Sequence, residues 1–146
     1  IGSFAAITLG AYFLIYFSFC CELPIDMRTL PALILIPVLS RSLSGLSAIF
    51  FPTSQAKGLL HSFRDASDRG ITVCVLVTFA LLSISMMTVV YPRAGISAAL
   101  ISAVCLFLLY FISQKQFGGM SGDLSGWFLS ISEIMMLVGL TVAIKV

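Results

Sequence analysis

Residues 118–144 read GGMSGDLSGWFLSISEIMMLVGLTVAI, and the two halves of this stretch decide the fold. The second half is apolar and long enough to cross a bilayer as helix, which takes roughly 20 residues for about 30 Å of hydrocarbon. It nevertheless carries an acid, Glu133. The first half gathers Gly118, Gly119, Gly122 and Gly126 with Ser121, Ser125 and Asp123 at the entrance to that span. Carboxylates are costly in lipid, so an acid kept inside a span points to a functional site or a specific partner.

Composition extends this reading to the whole chain. Of the 146 residues 60% are hydrophobic and only 10% are charged, which does not describe a water-soluble domain. Five stretches approach or exceed membrane length: Ile1–Cys20, Leu30–Phe51, Gly70–Tyr91, Ala94–Ile112 and Ser125–Ile144. The connections between them are polar or carry Pro and Gly. The expected fold is all-α: a polytopic integral membrane helical bundle of about five transmembrane helices, forming a single membrane domain over residues 1–146. The chain starts at Ile1 inside an apolar run, without the basic flank and cleavage site of a signal peptide. A fragment lacking its amino-terminal portion is therefore expected.

Charge and cysteine usage exclude several classes. The net charge is +2 and the eight basic residues are dispersed, with no aromatic-interleaved basic patch for nucleic acid. Cys20, Cys21, Cys74 and Cys105 have no zinc-site spacing, and the single histidine, His61, lacks a partner set. The cysteines are expected to be packing residues, as are the Met86-Met87 and Met135-Met136 pairs.

With five spans, the 52–69 and 113–124 loops share one face of the membrane. Lys57, Arg64, Arg69 and Lys115 lie on that face, against Arg28, Arg93 and Lys145 on the other. The positive-inside rule places the two loops in the cytoplasm. Within the 52–69 loop, Lys57, His61, Arg64, Asp65 and Asp68 read either as a solvated surface turn or as a phosphate-holding segment.

Arg41 lies ten residues from Phe51, about 15 Å from that end of its span. An arginine at mid-span costs about 2.5–3.5 kcal/mol on insertion scales unless a partner or wet cavity receives it. Ser44, Gly45 and Ala48 extend a small, polar stripe from it, and Pro31 and Pro37 are placed to bend the helix. Gly126, Ser130, Glu133, Leu137 and Thr141 form a comparable stripe expected to face inward. Glu133 is eight residues beyond Ser125, about 12 Å deep, so it and Arg41 are expected at similar depth.

Two readings of that pair stand side by side. One is a structural ion pair locking two helices, as in a transporter or packing subunit. The other is a polar cavity in which Asp123 or Glu133 binds a divalent metal and Arg41 or Lys57 meets phosphate oxygen. The glycines also divide. Gly118, Gly122 and Gly126 recur every fourth residue, the spacing of close helix packing, and Asp123 or Ser125 could cap the last helix. Gly95, Ala99 and Ala103 make another small-residue face, read as packing.

Gly118-Gly119-Met120-Ser121-Gly122-Asp123 with Gly126, then Glu133 in the following span, resembles the carboxyl-terminal signature of the cobalamin synthase (adenosylcobinamide-GDP ribazoletransferase) family. Lys115 resembles the basic residue before that motif. Pro37-Val38-Leu39-Ser40-Arg41 is similar to the family's proline-to-arginine segment, and Lys57-Gly58-Leu59 more loosely to its basic loop. The resemblance covers essentially the whole chain as the later part of a longer enzyme. The family's aspartate-rich motif is not among these residues, and Asp65 and Asp68 do not replace it.

The resemblance implies a phosphotransferase joining adenosylcobinamide-GDP to α-ribazole or its 5′-phosphate with release of GMP, and a fragment of this extent inactive alone. It implies Mg2+ as cofactor, with Asp123 and Glu133 as catalytic carboxylates and Asp123 as metal ligand. Arg41, Lys57, Gly119, Ser121 and Gly122 would contact phosphate, with Gly118 and Gly126 as structural glycines. Its partners would be the two substrates and the lipid bilayer, with oligomerisation left open. Its place would be the cytoplasmic (inner) membrane, active site toward the cytoplasm. A phosphotransferase using CDP-activated alcohols would need a dense multi-aspartate motif, which these residues lack.

Overall fold

The computed structural model describes residues 3–24, 26–52 and 68–145, with side chains from residue 6 onward. Five helices run through them: α1 (Ser3–Glu22), α2 (Thr29–Phe50), α3 (Arg69–Val90), α4 (Pro92–Gln116) and α5 (Gly122–Lys145). They match the five expected spans to within a few residues. Helices α2 to α5 are 22 to 25 residues long and apolar enough to cross a membrane, whereas α1 contributes a shorter apolar stretch, Ala6–Glu22. The protein is an all-α membrane bundle.

Local chemistry sets the ends of these helices. Asp26 accepts hydrogen bonds from the backbone N–H groups of Arg28 (3.1 Å) and Thr29 (2.8 Å), satisfying donors that α2 leaves unpaired. Asp68 does the same for α3 through Gly70 N–H at 3.1 Å. Tyr91 alone separates α3 from α4. Pro92 disfavours helix at the residue before it, ending α3, while its fixed φ suits the first turn of α4.

Helix α2 packs against α3, α4 and α5; α3 packs on α4, α4 on α5, and α1 lies against α5. Their shared core includes Ile36, Leu39, Met87, Leu109, Met136, Leu137 and Leu140, all fully buried. Lipid is as apolar as leucine, so association rests on close van der Waals fit and small residues at the contacts. Ala32, Ala80, Ala94, Gly95 and Ala98 provide that closeness. Buried hydroxyls turn back onto their own helix, as Ser83 does to Phe79 O and Thr141 to Leu137 O. Ile71, Phe79, Leu100, Phe107 and Phe111 point outward, where acyl chains would meet them.

Several packing expectations are corrected here. Of the small residues on α4, Gly95 is buried but Ala99 is only half-buried and Ala103 is exposed, because the inward face runs through Ala94, Ala98, Ser102 and Cys105 instead. Among the cysteines only Cys105 is buried, while Cys21 and Cys74 are exposed. Each methionine pair splits, with Met87 and Met136 in the core and Met86 and Met135 outside, since adjacent helical residues point about 100° apart.

Gly95 and Gly126 offer a direct contrast. A Cβ on Gly95 would sit 2.5 Å from both the Cα and the N of Thr88, whereas one on Gly126 would meet nothing within 4 Å. Gly95→Ala is expected to destabilise the bundle by about 1–3 kcal/mol through overpacking, visible as a lower melting temperature by circular dichroism. Gly126→Ala should leave melting unchanged or raise it slightly.

The Asp26 cap predicts a pH dependence. Its hydrogen bonds, that from the Thr29 N–H first, hold the Asp26 carboxyl below the usual aspartate range. Its stabilisation is therefore complete above the unfolded value of about 4 and is lost as pH falls through the lower folded value. Asp26→Ala should melt earlier than the parent at pH 7, with the gap closing as the pH drops below about 4.

Candidate functional site

The chain leaves α4 and reverses through Gly118 (φ 63°) and Gly119 (φ 146°), backbone angles that residues with a Cβ rarely adopt. This reversal lets Gly119 N–H donate to Ser113 O (2.9 Å) and Met120 N–H donate to Pro52 O (2.6 Å). The second bond ties the end of the α2 segment to the start of α5, so the two loops expected on one face do meet there. Met120 is buried beneath the turn.

Helix α5 is capped by Ser121, whose Oγ accepts from Leu124 N–H at 3.3 Å. This corrects the expectation that Asp123 or Ser125 would cap it. Ser125 instead shares a 2.6 Å hydrogen bond with Ser44 on α2. Asp123 is exposed in the first turn and makes no hydrogen bond or ion pair with the described residues. Negative charge is favoured there by the helix dipole. It borders a cleft of about 690 Å³ between the end of α4 and the start of α5, lined also by Gln116, Phe117, Ser121 and Trp127.

Deeper in the bundle, Glu133 is surrounded by donors. Its Oε1 accepts from Arg41 Nη1 at 2.7 Å and Ser40 Oγ at 2.8 Å, and its Oε2 accepts from Tyr12 OH at 2.7 Å. The Glu133 side chain is 7% exposed and that of Arg41 is 63% exposed. The arginine is therefore paired but not buried, contrary to the expectation of two buried charges. Its Nη1 also donates to Pro37 O at 3.2 Å, which Ser40 Oγ shares at 3.1 Å. Helix α2 runs unbroken through Pro37, so the proline does not interrupt it.

The anticipated inward stripe on α5 is inward only in its deeper part. Glu133, Leu137 and Thr141 are buried, Ser130 is half-buried and Gly126 is exposed. Gly122 and Gly126 face open space, so no described helix uses them as a packing ladder. Asp123 and Glu133 are ten residues apart on one helix, about 15 Å along its axis. The candidate residues thus form a group at the loop end and a second group near mid-span. Lys57, His61, Arg64 and Asp65 lie outside the described residues. Asp68 is an exposed helix cap, and Arg69 lies 5.8 Å from the Phe50 ring centroid.

Tyr12 and Ser40 are partners of Glu133 that sequence reasoning did not single out. A tyrosine at mid-span was the available signal, because tyrosines concentrate at membrane interfaces and a buried hydroxyl needs a partner. No cluster of three or more His, Cys, Asp or Glu side chains able to hold a metal occurs among the described residues.

Comparison with known proteins adds to this geometry. An adenosylcobinamide-GDP ribazoletransferase of Lachnoclostridium phytofermentans is 32% identical over 143 residues, covering 98% of this chain and 53% of that protein. Proteins of the same name from Desulfitobacterium hafniense and Pseudomonas fluorescens are 26% and 31% identical, each over 95% of this chain and 55% of theirs. The chain therefore spans about half the length of the curated relatives it matches. No solved structure matches it. The sequence model described as cobalamin-5-phosphate synthase matches residues 1–141, and with that extent of agreement the chain belongs to the cobalamin-5-phosphate synthase family.

Proposed function

We propose that this chain carries part of the active site of an enzyme that joins adenosylcobinamide-GDP to α-ribazole or its 5′-phosphate, with release of GMP. A ribazole hydroxyl oxygen attacks the diphosphate phosphorus on the cobinamide side. The bond from that phosphorus to the bridging oxygen breaks, GMP leaves, and the hydroxyl proton passes to water or a nearby carboxylate. Such chemistry depends on positioning and on stabilising charge around the transferred phosphoryl group. The observation that carries the reading is Arg41: its guanidinium is pinned by Glu133 yet keeps an exposed edge, in a chain of this family.

Within this reading Asp123 sits at the mouth, where it orients the attacking hydroxyl or a metal, and Gly119, Ser121 and Gly122 border the phosphates there. Lys57 would add a second cation from the neighbouring loop. Magnesium commonly binds through one or two carboxylates plus substrate phosphates. The exposed Asp123 carboxylate, without a partner among the described residues, suits that role, whereas both Glu133 oxygens are already occupied. When bound, the ion would neutralise charge on the transferred group. Glu133 then serves to orient Arg41. The basic residues of the two tied loops support a site facing the cytoplasm from the inner membrane.

Asp123→Asn in the complete membrane-embedded enzyme should reduce GMP release about 100-fold or more while leaving membrane insertion intact. Full turnover in that variant would remove Asp123 from the site. A charge exchange, Arg41→Glu with Glu133→Arg, separates this reading from a purely structural pair. A bracing pair should tolerate the exchange, but a phosphate-binding arginine should not, and GMP release should stay lost.

A further inference from the structure

The Arg41 guanidinium is engaged on one side only. Nη1 donates to Glu133 Oε1 and Pro37 O, while Nη2 and Nε have no hydrogen-bond partner among the described residues. Glu133 cannot turn to meet them, because Ser40 from α2 and Tyr12 from α1 hold its two oxygens. A carboxylate accepting three donors has its charge spread among them, so the arginine keeps attraction for a further anion. At mid-span depth such an edge is expensive against lipid, and an anionic ligand in a wet cleft would relieve it.

One face of α5 leads from the glycine-rich turn toward Glu133. Gly122, Gly126 and Glu133 fall within about 40° of one another around the helix, and the space above both glycines is empty. Tyr12 and Ser40 reach Glu133 from different helices, so α1 and α2 both meet α5 at that depth. Ser130, half-buried beside it, adds a hydroxyl. The bare glycine face therefore runs along α5 toward Glu133, which holds the guanidinium.

We propose that Tyr12, Ser40 and Glu133 are positioning residues that lock the Arg41 side chain, and that its outer edge binds a phosphate group of an elongated diphosphate substrate lying along the α5 glycine face. The identity of that substrate rests on the function proposed above; the anion site itself rests on the geometry. Arginine suits the role because its planar fork can pair with phosphate oxygens while another edge stays bound to a carboxylate.

The test is titration of the protein in lipid nanodiscs with inorganic pyrophosphate, followed by 31P NMR, with chelator present to remove any metal-held anion near Asp123. Saturable binding is expected, weakened about tenfold or more in Arg41→Gln and about threefold in Tyr12→Phe and Ser40→Ala, with helix content by circular dichroism unchanged. Guanidinium ion added to Arg41→Ala should restore binding when Tyr12 is intact and should fail in the Arg41→Ala, Tyr12→Phe double variant, a pattern that loss of packing would not produce. Pyrophosphate affinity within twofold of the parent in every variant, or no rescue, overturns the proposal. GMP release assayed in parallel on the complete enzyme separates the two readings. The expected binding pattern without turnover of adenosylcobinamide-GDP sinks the proposed activity alone, while turnover unaffected by Arg41→Gln sinks the anion site alone.

Discussion

Glu133 carries a carboxylate far from either end of a membrane-length helix, and side chains from two other helices converge to solvate it. Tyr12 comes from α1, Ser40 and Arg41 come from α2, and the acid itself is on α5. An unpaired ion at this depth would cost several kilocalories, so the positions of these helices around α5 are mutually constrained. The cluster is asymmetric, however. The acid is enclosed and saturated while the arginine is open, which suits a device that holds a cation for use more than one that hides two charges.

The loop end obeys a different logic, that of backbone geometry. Positive φ at Gly118 and Gly119 permits a sharp reversal, which brings Met120 N–H to Pro52 O and starts α5 on the Ser121 cap. Asp123 follows two residues later, at the positive end of the helix dipole and beside the cleft lined by Gln116, Phe117 and Trp127. The glycines at 122 and 126 leave the adjoining α5 face bare. Asp123, exposed and without a partner among the described residues, thus stands at one end of a helix face that runs toward Glu133.

Much of this was legible from local pattern. Apolar run length located the five helices, because a backbone in lipid must satisfy its hydrogen bonds within the segment. The cost of an isolated charge singled out Arg41 and Glu133 as candidates for a pair, and helical rise placed them at one depth. What escaped that reasoning was angular or long-range. Tyr12 is 121 residues from Glu133, and nothing in the spacing of α1 says which neighbour its hydroxyl will meet. Ser121 rather than Asp123 became the cap because the glycine turn sets where α5 begins. Gly126, read as inward on the strength of its stripe, lies exposed because no described helix covers that part of α5.

Sequence alone established that this protein is a helical membrane bundle, that two opposite charges lie at comparable depth within it, and that a glycine-acid segment precedes the last span. These follow from desolvation energy and backbone freedom, which act residue by residue. It took the packed bundle to show that Tyr12 and Ser40 complete the Glu133 cluster and that Arg41 turns an edge outward. Those outcomes depend on which helix faces which, a matter of packing between distant segments that no local pattern encodes.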